Sequence, residues 1–211
     1  MNEPNPDRWL RLWSQADLQG DPLPTWRELV SLYSEPPRHY HNLRHISECL
    51  AEFDSARHLA QTPVAVELAI WFHDAVYDTH AQDNEEKSAG LATCCLAKAK
   101  ASDELSKSVA ALVLSTKSHD SSLHPDAPLI VDVDLSILGK ARELFQEYES
   151  QIRSEYAWVP EAVFAAKRAE ILEHFLARVR IYTTTHFFEK YEQQARFNLQ
   201  ESLRKLKPAI T

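Results

Sequence analysis

Glycine is scarce: only Gly20, Gly90 and Gly139 occur in 211 residues. An all-β chain draws on glycine for many of its tight turns, so this scarcity excludes a sandwich or a barrel. Cysteine is scarce too. Cys49, Cys94 and Cys95 make an odd count, two are adjacent, and no pair is spaced C-x-x-C. That excludes a disulfide framework, carries no signature of a thiol catalyst, and points to reduced, mostly buried thiols in a cytoplasmic setting. No uninterrupted apolar run approaches the roughly 20 residues of a membrane span. The opening MNEPNPD lacks the apolar stretch of a signal peptide. An excess of basic charge is also missing. Lys and Arg number 23 against 31 Asp and Glu, for a formal net charge of −8. A nucleic-acid or membrane-surface protein shows the opposite balance on its working face, so neither partner is expected. A small phosphorylated substrate stays compatible with this charge, because a metal ion and a few local arginines supply positive potential where it is needed.

What the chain does contain is helical spacing. Trp9, Leu12, Trp13 and Ala16 form an i, i+3, i+4, i+7 stripe that ends near Gly20. Pro24 suits the first turn of a second helix, with Trp26, Leu29, Val30 and Tyr33 inward, stopped by Pro36-Pro37. Asn42 is an N-cap for a third, running to about residue 60 with Leu43, Ile46, Leu50 and Phe53 buried. Thr62-Pro63 opens a fourth that is apolar nearly all round except at Glu67, which marks it as central. Asp83 and Glu86 have capping-box spacing for a fifth helix reaching about residue 100. Ser102 caps a sixth, ending near Thr116, before a polar loop through Pro125. Residues 129–138 alternate in part; a strand and a short buried helix fit them equally well. Three more helices are expected over 141–156, 160–182 and 186–206. The expectation is an all-α bundle of about eight or nine helices. It is read as a single domain over residues 1–211, with its core in about 25–140 and helices 141–207 packed on it.

The chemistry gathers at Ala69-Ile70-Trp71-Phe72-His73-Asp74, where a histidine and an aspartate end an apolar run. A buried charge is costly unless it is paired or bound to a metal. The bland account is a core histidine bonded to a carbonyl, with Asp74 capping the next element. Other residues of the same kind argue for more. His45 lies one turn into the third helix, and Asp134 sits within the apolar stretch VDVDLSIL. With no ligand spacing among the cysteines, the candidate metal ligands are histidines and carboxylates. Helical bundles build such sites by aiming one imidazole or carboxylate from each of several helices at one point. Neighbours on a regular helix do not face the same way. The fourth helix must therefore end or distort at His73 for both side chains to serve one ion.

The order His … His-Asp … Asp resembles the HD-domain superfamily of metal-dependent phosphohydrolases, an all-α fold. YHNLRH at 40–45 is similar to the YHNxxH motif of its cyclic-nucleotide phosphodiesterases, and Asp134-Leu135-Ser136 to the Asp-Leu-Ser that carries their last ligand. FHDAVYD, DNEEKSA, DLSILG and ARFNL together resemble a bacterial family of small HD proteins that are predicted phosphohydrolases. The further histidine pair and purine-clamping residues of the phosphodiesterases have no counterpart, so cyclic-nucleotide cleavage is not implied.

The resemblance implies metal ligation by His45, His73, Asp74 and Asp134, with His119 as an additional ligand and His124 as its rival. It implies His41 as proton donor to the leaving group, with Glu85 or Glu86 as the carboxylate that tunes it; an exposed or supporting role is the alternative for His41. A mixed N/O set suits Mn, Fe, Co, Ni or Zn, or Mg, with one or two ions per chain. Asp78 is a candidate to orient a ligand. Arg38, Lys117, Arg178 and Arg196 are candidate phosphate contacts, each with ordinary surface pairing as the alternative. His39, His58, His80, His174 and His186 are read as structural. The function implied is hydrolysis of a phosphate ester of a small metabolite or nucleotide by a metal-activated water. A metal- and nucleotide-binding sensor without turnover, or a di-iron oxygenase of the same fold, are the competing readings.

Overall fold

A computed structural model describes residues 5–118 and 122–206. Among these residues there are ten α-helices and no strand. They are α1 (Asp7–Gln15), α2 (Leu23–Leu32), α3 (Leu43–Ala56), α4 (Pro63–Phe72), α5 (Asn84–Lys98), α6 (Asp103–Ser118), α7 (Ala127–Asp134), α8 (Arg142–Glu155), α9 (Glu161–Ala177) and α10 (Thr185–Leu206). Single 3-10 turns follow α3 and α7. The stretch 129–138 is therefore helix and 3-10 turn, not strand. None of the described helices is long and apolar enough to cross a membrane. The chain forms two compact units, Met1–Val131 and Asp132–Thr211.

In the first unit α4 is the central element, touched by α1, α3, α5 and α6. Its composition requires this: every residue from Ala65 to Phe72 is buried, Glu67 included. Full burial of a large apolar side chain contributes about 1.5–3 kcal/mol, so α4 and the stripes facing it dominate the stability of this unit. Glu67 escapes an unpaired burial because Arg8 donates to it at 2.8 Å and Arg57 also bonds it. Trp9 of α1 lies edge-on to Trp71 and Phe72, with centroids 5.8 and 6.2 Å away, and so covers the last turn of α4.

The residues leading into α4 are pinned from a distance. Asp126, 2% exposed, accepts from Gln61 N and Thr62 N at 2.8 Å and from the Thr62 hydroxyl at 2.6 Å. Thr62 stands at the N-cap, but its hydroxyl donates to Asp126 instead of accepting from the helix. The second unit repeats the device. Asp132 accepts from Thr183 N at 2.9 Å, Thr184 N at 2.7 Å and the Thr184 hydroxyl at 2.6 Å, just before α10.

The second unit holds the end of α7, its 3-10 turn, and α8 to α10. The turn packs on α8 and α10. Gly139 is required there, because a Cβ would fall on Tyr191 Cβ and stand 2.9 Å from its Cγ and Cδ1. The helix expected over 160–182 stops at Ala177. Arg178 is already extended, and the amides beyond it are taken by side chains: Ile181 N and Tyr182 N by Glu192, Thr183 N and Thr184 N by Asp132. A backbone whose donors are satisfied this way gains nothing from continuing a helix.

Candidate metal centre

The site lies where α4 ends, in the first unit. His73 is the C-cap of α4, with its amide on Ala69 O at 2.9 Å, and Ala75 N closes a turn onto Phe72 O at 3.0 Å. The helix therefore ends between His73 and Asp74, as two adjacent ligands require. Four side chains hold the last turn of α4 and the loop that follows. Tyr33 donates its hydroxyl to Trp71 O at 3.0 Å. Arg38 donates to Asp74 O at 2.6 Å, Ala75 O at 2.8 Å and His41 O at 3.2 Å. Ser88 accepts from Val76 N at 3.0 Å. Asn84 accepts from Asp78 N at 3.0 Å and donates to Asp78 O at 2.9 Å. Helix-end carbonyls have no partner within the helix, so a buried terminus needs donors of this kind.

Three atoms then converge. Nε2 of His45 and Nε2 of His73 are 3.1 Å apart. Oδ2 of Asp74 is 3.1 Å from the latter and 3.6 Å from the former. The two imidazole side chains are 2% exposed and that of Asp74 17%. The proton positions follow from chemistry. Nδ1 of His73 lies 2.9 Å from Ile70 O, and a carbonyl only accepts. Nδ1 therefore carries a proton, and in the neutral ring Nε2 presents its lone pair toward Asp74, itself an acceptor. An N–H of a neighbouring imidazole or a metal ion among these atoms relieves the contact of two acceptors. The carbonyl bond also fixes the ring orientation, as the outer partner of a metal-bound histidine does. The donor set fits a divalent ion.

The cap expected for α3 is present: Asn42 accepts from Arg44 N at 2.8 Å. It fixes His45 one turn in and leaves His41 just before the helix. His41 is half-buried. Its ring stacks on Tyr77 at 4.2 Å between centroids and lies 5.9 Å from the His45 ring. Glu85, at the start of α5, is half-buried, and its carboxyl is raised above the usual range, first by burial and then by the charge of Asp74.

Other expected residues have different employment. Arg38, with a side chain 1% exposed, donates to backbone carbonyls and to Glu35. Lys117 donates to Glu86 at 2.5 Å and to Gln82 O at 2.7 Å. That bond holds the exposed Glu86 below the usual carboxylate range. The capping box does not form: Asp83 makes no side-chain cap and pairs with Lys87 at 2.8 Å. Asp78 is exposed, its carboxylate accepting from His80 N at 2.9 Å. His124 accepts from Asp126 N at 3.0 Å, and His119 lies outside the described residues. In the second unit Asp134 ends α7 and is half-buried. Arg178 lies over Phe175 at 4.8 Å, and burial lowers its pKa. Arg196 donates to Glu192 at 2.7 Å and to the carbonyls of Leu176, Arg178 and Val179, so it is a clamp on the end of α9.

One residue beside the imidazoles was missed from the sequence. Cys49 is 2% exposed, and its Sγ lies 3.7 Å from both ring nitrogens of His45. The signal was the i, i+4 spacing His45-x-x-x-Cys49, which places both on one helix face. His45, Cys49 and His73 each offer a ligand atom within 4.8 Å of the others.

Fold and site thus define an all-helical protein with a buried His/Cys/Asp group of a kind that can hold a metal ion. Comparison with family models, with curated proteins and with solved structures finds no match for this chain.

Proposed function

We propose that the protein is a metal-dependent phosphohydrolase acting on a small phosphorylated metabolite or nucleotide, in the manner of the HD-domain enzymes that its sequence resembles. One observation carries the reading: two buried imidazole nitrogens and a carboxylate oxygen converge within 3.1–3.6 Å at a helix end. The motif order in the sequence adds Asp134 to this set. A divalent ion held there supplies a water of lowered pKa and a Lewis acid for a phosphoryl oxygen.

The remaining work falls to the chain. His73 is held in one tautomer by Ile70 O. The loop beyond α4, clamped by Arg38 and Ser88, keeps the Asp74 carboxylate aimed at the imidazoles. His41, steadied by the Tyr77 ring, hands a proton to the leaving oxygen. Glu85 retains a proton to higher pH than an exposed glutamate, which suits it to replenish His41.

The test joins elemental analysis with a panel of phosphomonoesters and phosphodiesters, on wild type and Asp74→Ala. The expected outcome is a wild type that carries a transition metal and cleaves at least one substrate class, and a folded variant that does neither. Wild type that neither retains nor takes up metal overturns the reading. So does an Asp74→Ala variant as active as wild type. Nucleotide-dependent thermal stabilisation without product would assign sensing in place of hydrolysis.

A further inference from the structure

We propose that Cys49 is itself a metal ligand, so that the centre contains sulfur as well as nitrogen and oxygen and selects zinc, cobalt or iron over magnesium, calcium or manganese. This rests on the metal-centre reading above and deepens it.

The geometry supplies the argument. Cys49 follows His45 by one turn of α3 and points from the same face. Its sulfur is 3.7 Å from Nε2 of His45, the nitrogen that meets His73. An ion with a metal–nitrogen bond of about 2.1 Å and a metal–sulfur bond of about 2.3 Å, at the tetrahedral angle, separates the two donors by about 3.6 Å. The His45–His73 nitrogen separation of 3.1 Å and the His73–Asp74 separation of 3.1 Å are also those of donors sharing one ion. The sulfur is equally far from Nδ1, so ligation turns the Cys49 side chain toward Nε2. The step balances simply. The thiol S–H bond breaks, its proton leaves to solvent, and the sulfur lone pair forms the metal–sulfur bond. Soft thiolate favours zinc, cobalt and iron, whereas magnesium, calcium and manganese prefer oxygen. The competing role is a small apolar side chain packed on an imidazole, and it needs no metal at all.

Cobalt(II) added to chelator-stripped full-length protein tests this. A thiolate-to-cobalt charge-transfer band is expected in the near ultraviolet. It should vanish in Cys49→Ser and Cys49→Ala, persist in Cys94→Ser, and leave the weaker visible cobalt bands in all of them. Zinc-loaded wild type should show a sulfur shell near 2.3 Å by X-ray absorption, a measurement that needs no variant and decides the matter should the Cys49 variants not fold. Zinc affinity of Cys49→Ser should fall about tenfold or more, with magnesium affinity unchanged. Cobalt or zinc bound in a His45-dependent way, with no charge-transfer band and no sulfur shell, overturns the thiolate and leaves the metal centre standing. Wild type that binds neither ion, or binds it independently of His45, overturns both.

Discussion

Replacing Arg38 by alanine should loosen the protein and weaken any metal held by His45, His73 and Asp74, because Arg38 acts on backbone and not on substrate. The magnitude follows from its bonds. The contact to Glu35 joins a partner whose side chain is 46% exposed, and surface pairs of that kind contribute close to nothing. The bond to His41 O, at 3.2 Å, is long. Two short bonds remain, to Asp74 O at 2.6 Å and Ala75 O at 2.8 Å. Hydrogen bonds from a charged donor contribute about 1.5–3 kcal/mol each, and releasing a buried guanidinium to solvent offsets part of the loss. A net destabilisation of about 3 kcal/mol results. For a chain of this size that lowers the melting temperature by about 6–12 °C. Arg38→Lys should fall between wild type and alanine, because one ammonium cannot span carbonyls that a planar fork reaches together. Thermal melts by circular dichroism, paired with zinc titration, read both effects. An alanine variant that melts with wild type and binds zinc equally, while its KM for a phosphate ester rises, would refute this reasoning and restore Arg38 as a substrate contact.

Gly139→Ala should destabilise by about 1–3 kcal/mol, since the added methyl meets Tyr191 side-chain carbons with no room to move; a melt or a collapse in soluble yield reads it. Asp126→Ala should cost about 3 kcal/mol by stripping Gln61 N, Thr62 N and the Thr62 hydroxyl of their acceptor, read as a lower urea midpoint with its slope unchanged. Burial outweighs the three donors around Asp132 and raises its carboxyl to about 6. The folded state then holds this proton more tightly than the unfolded chain does. This group therefore favours the fold most below its ordinary value, and that contribution is lost as pH rises from about 4 to about 6, on the order of 3 kcal/mol in all. Urea unfolding across that range should show the slope in wild type and not in Asp132→Asn.

The amino-acid sequence by itself determined the class of fold and brought the candidate site into view. Spacing at 3.6 residues, the Asn42 cap and the Ser102 cap, which accepts from Leu105 N at 3.1 Å, are local signals that need no partner to be legible. The uninterrupted apolar character of α4 sufficed to make it central and to put His73-Asp74 at a buried end. What the residues do to one another across space was settled only by folding. Asp83 and Glu86 have the spacing of a capping box, yet Lys87 and Lys117 reach them first. The helix expected to reach residue 182 stops at Ala177, because Glu192 takes the amides of Ile181 and Tyr182. Nothing near Arg38 in the sequence announces its bonds to the carbonyls of Asp74 and Ala75. Cys49 has no motif of its own; it matters because α3 turns it toward the ring of His45. The physical reason is the same throughout. A local pattern decides which backbone conformation is cheap, while the partner of a polar group is decided by whichever donor or acceptor the packed chain brings within 3 Å.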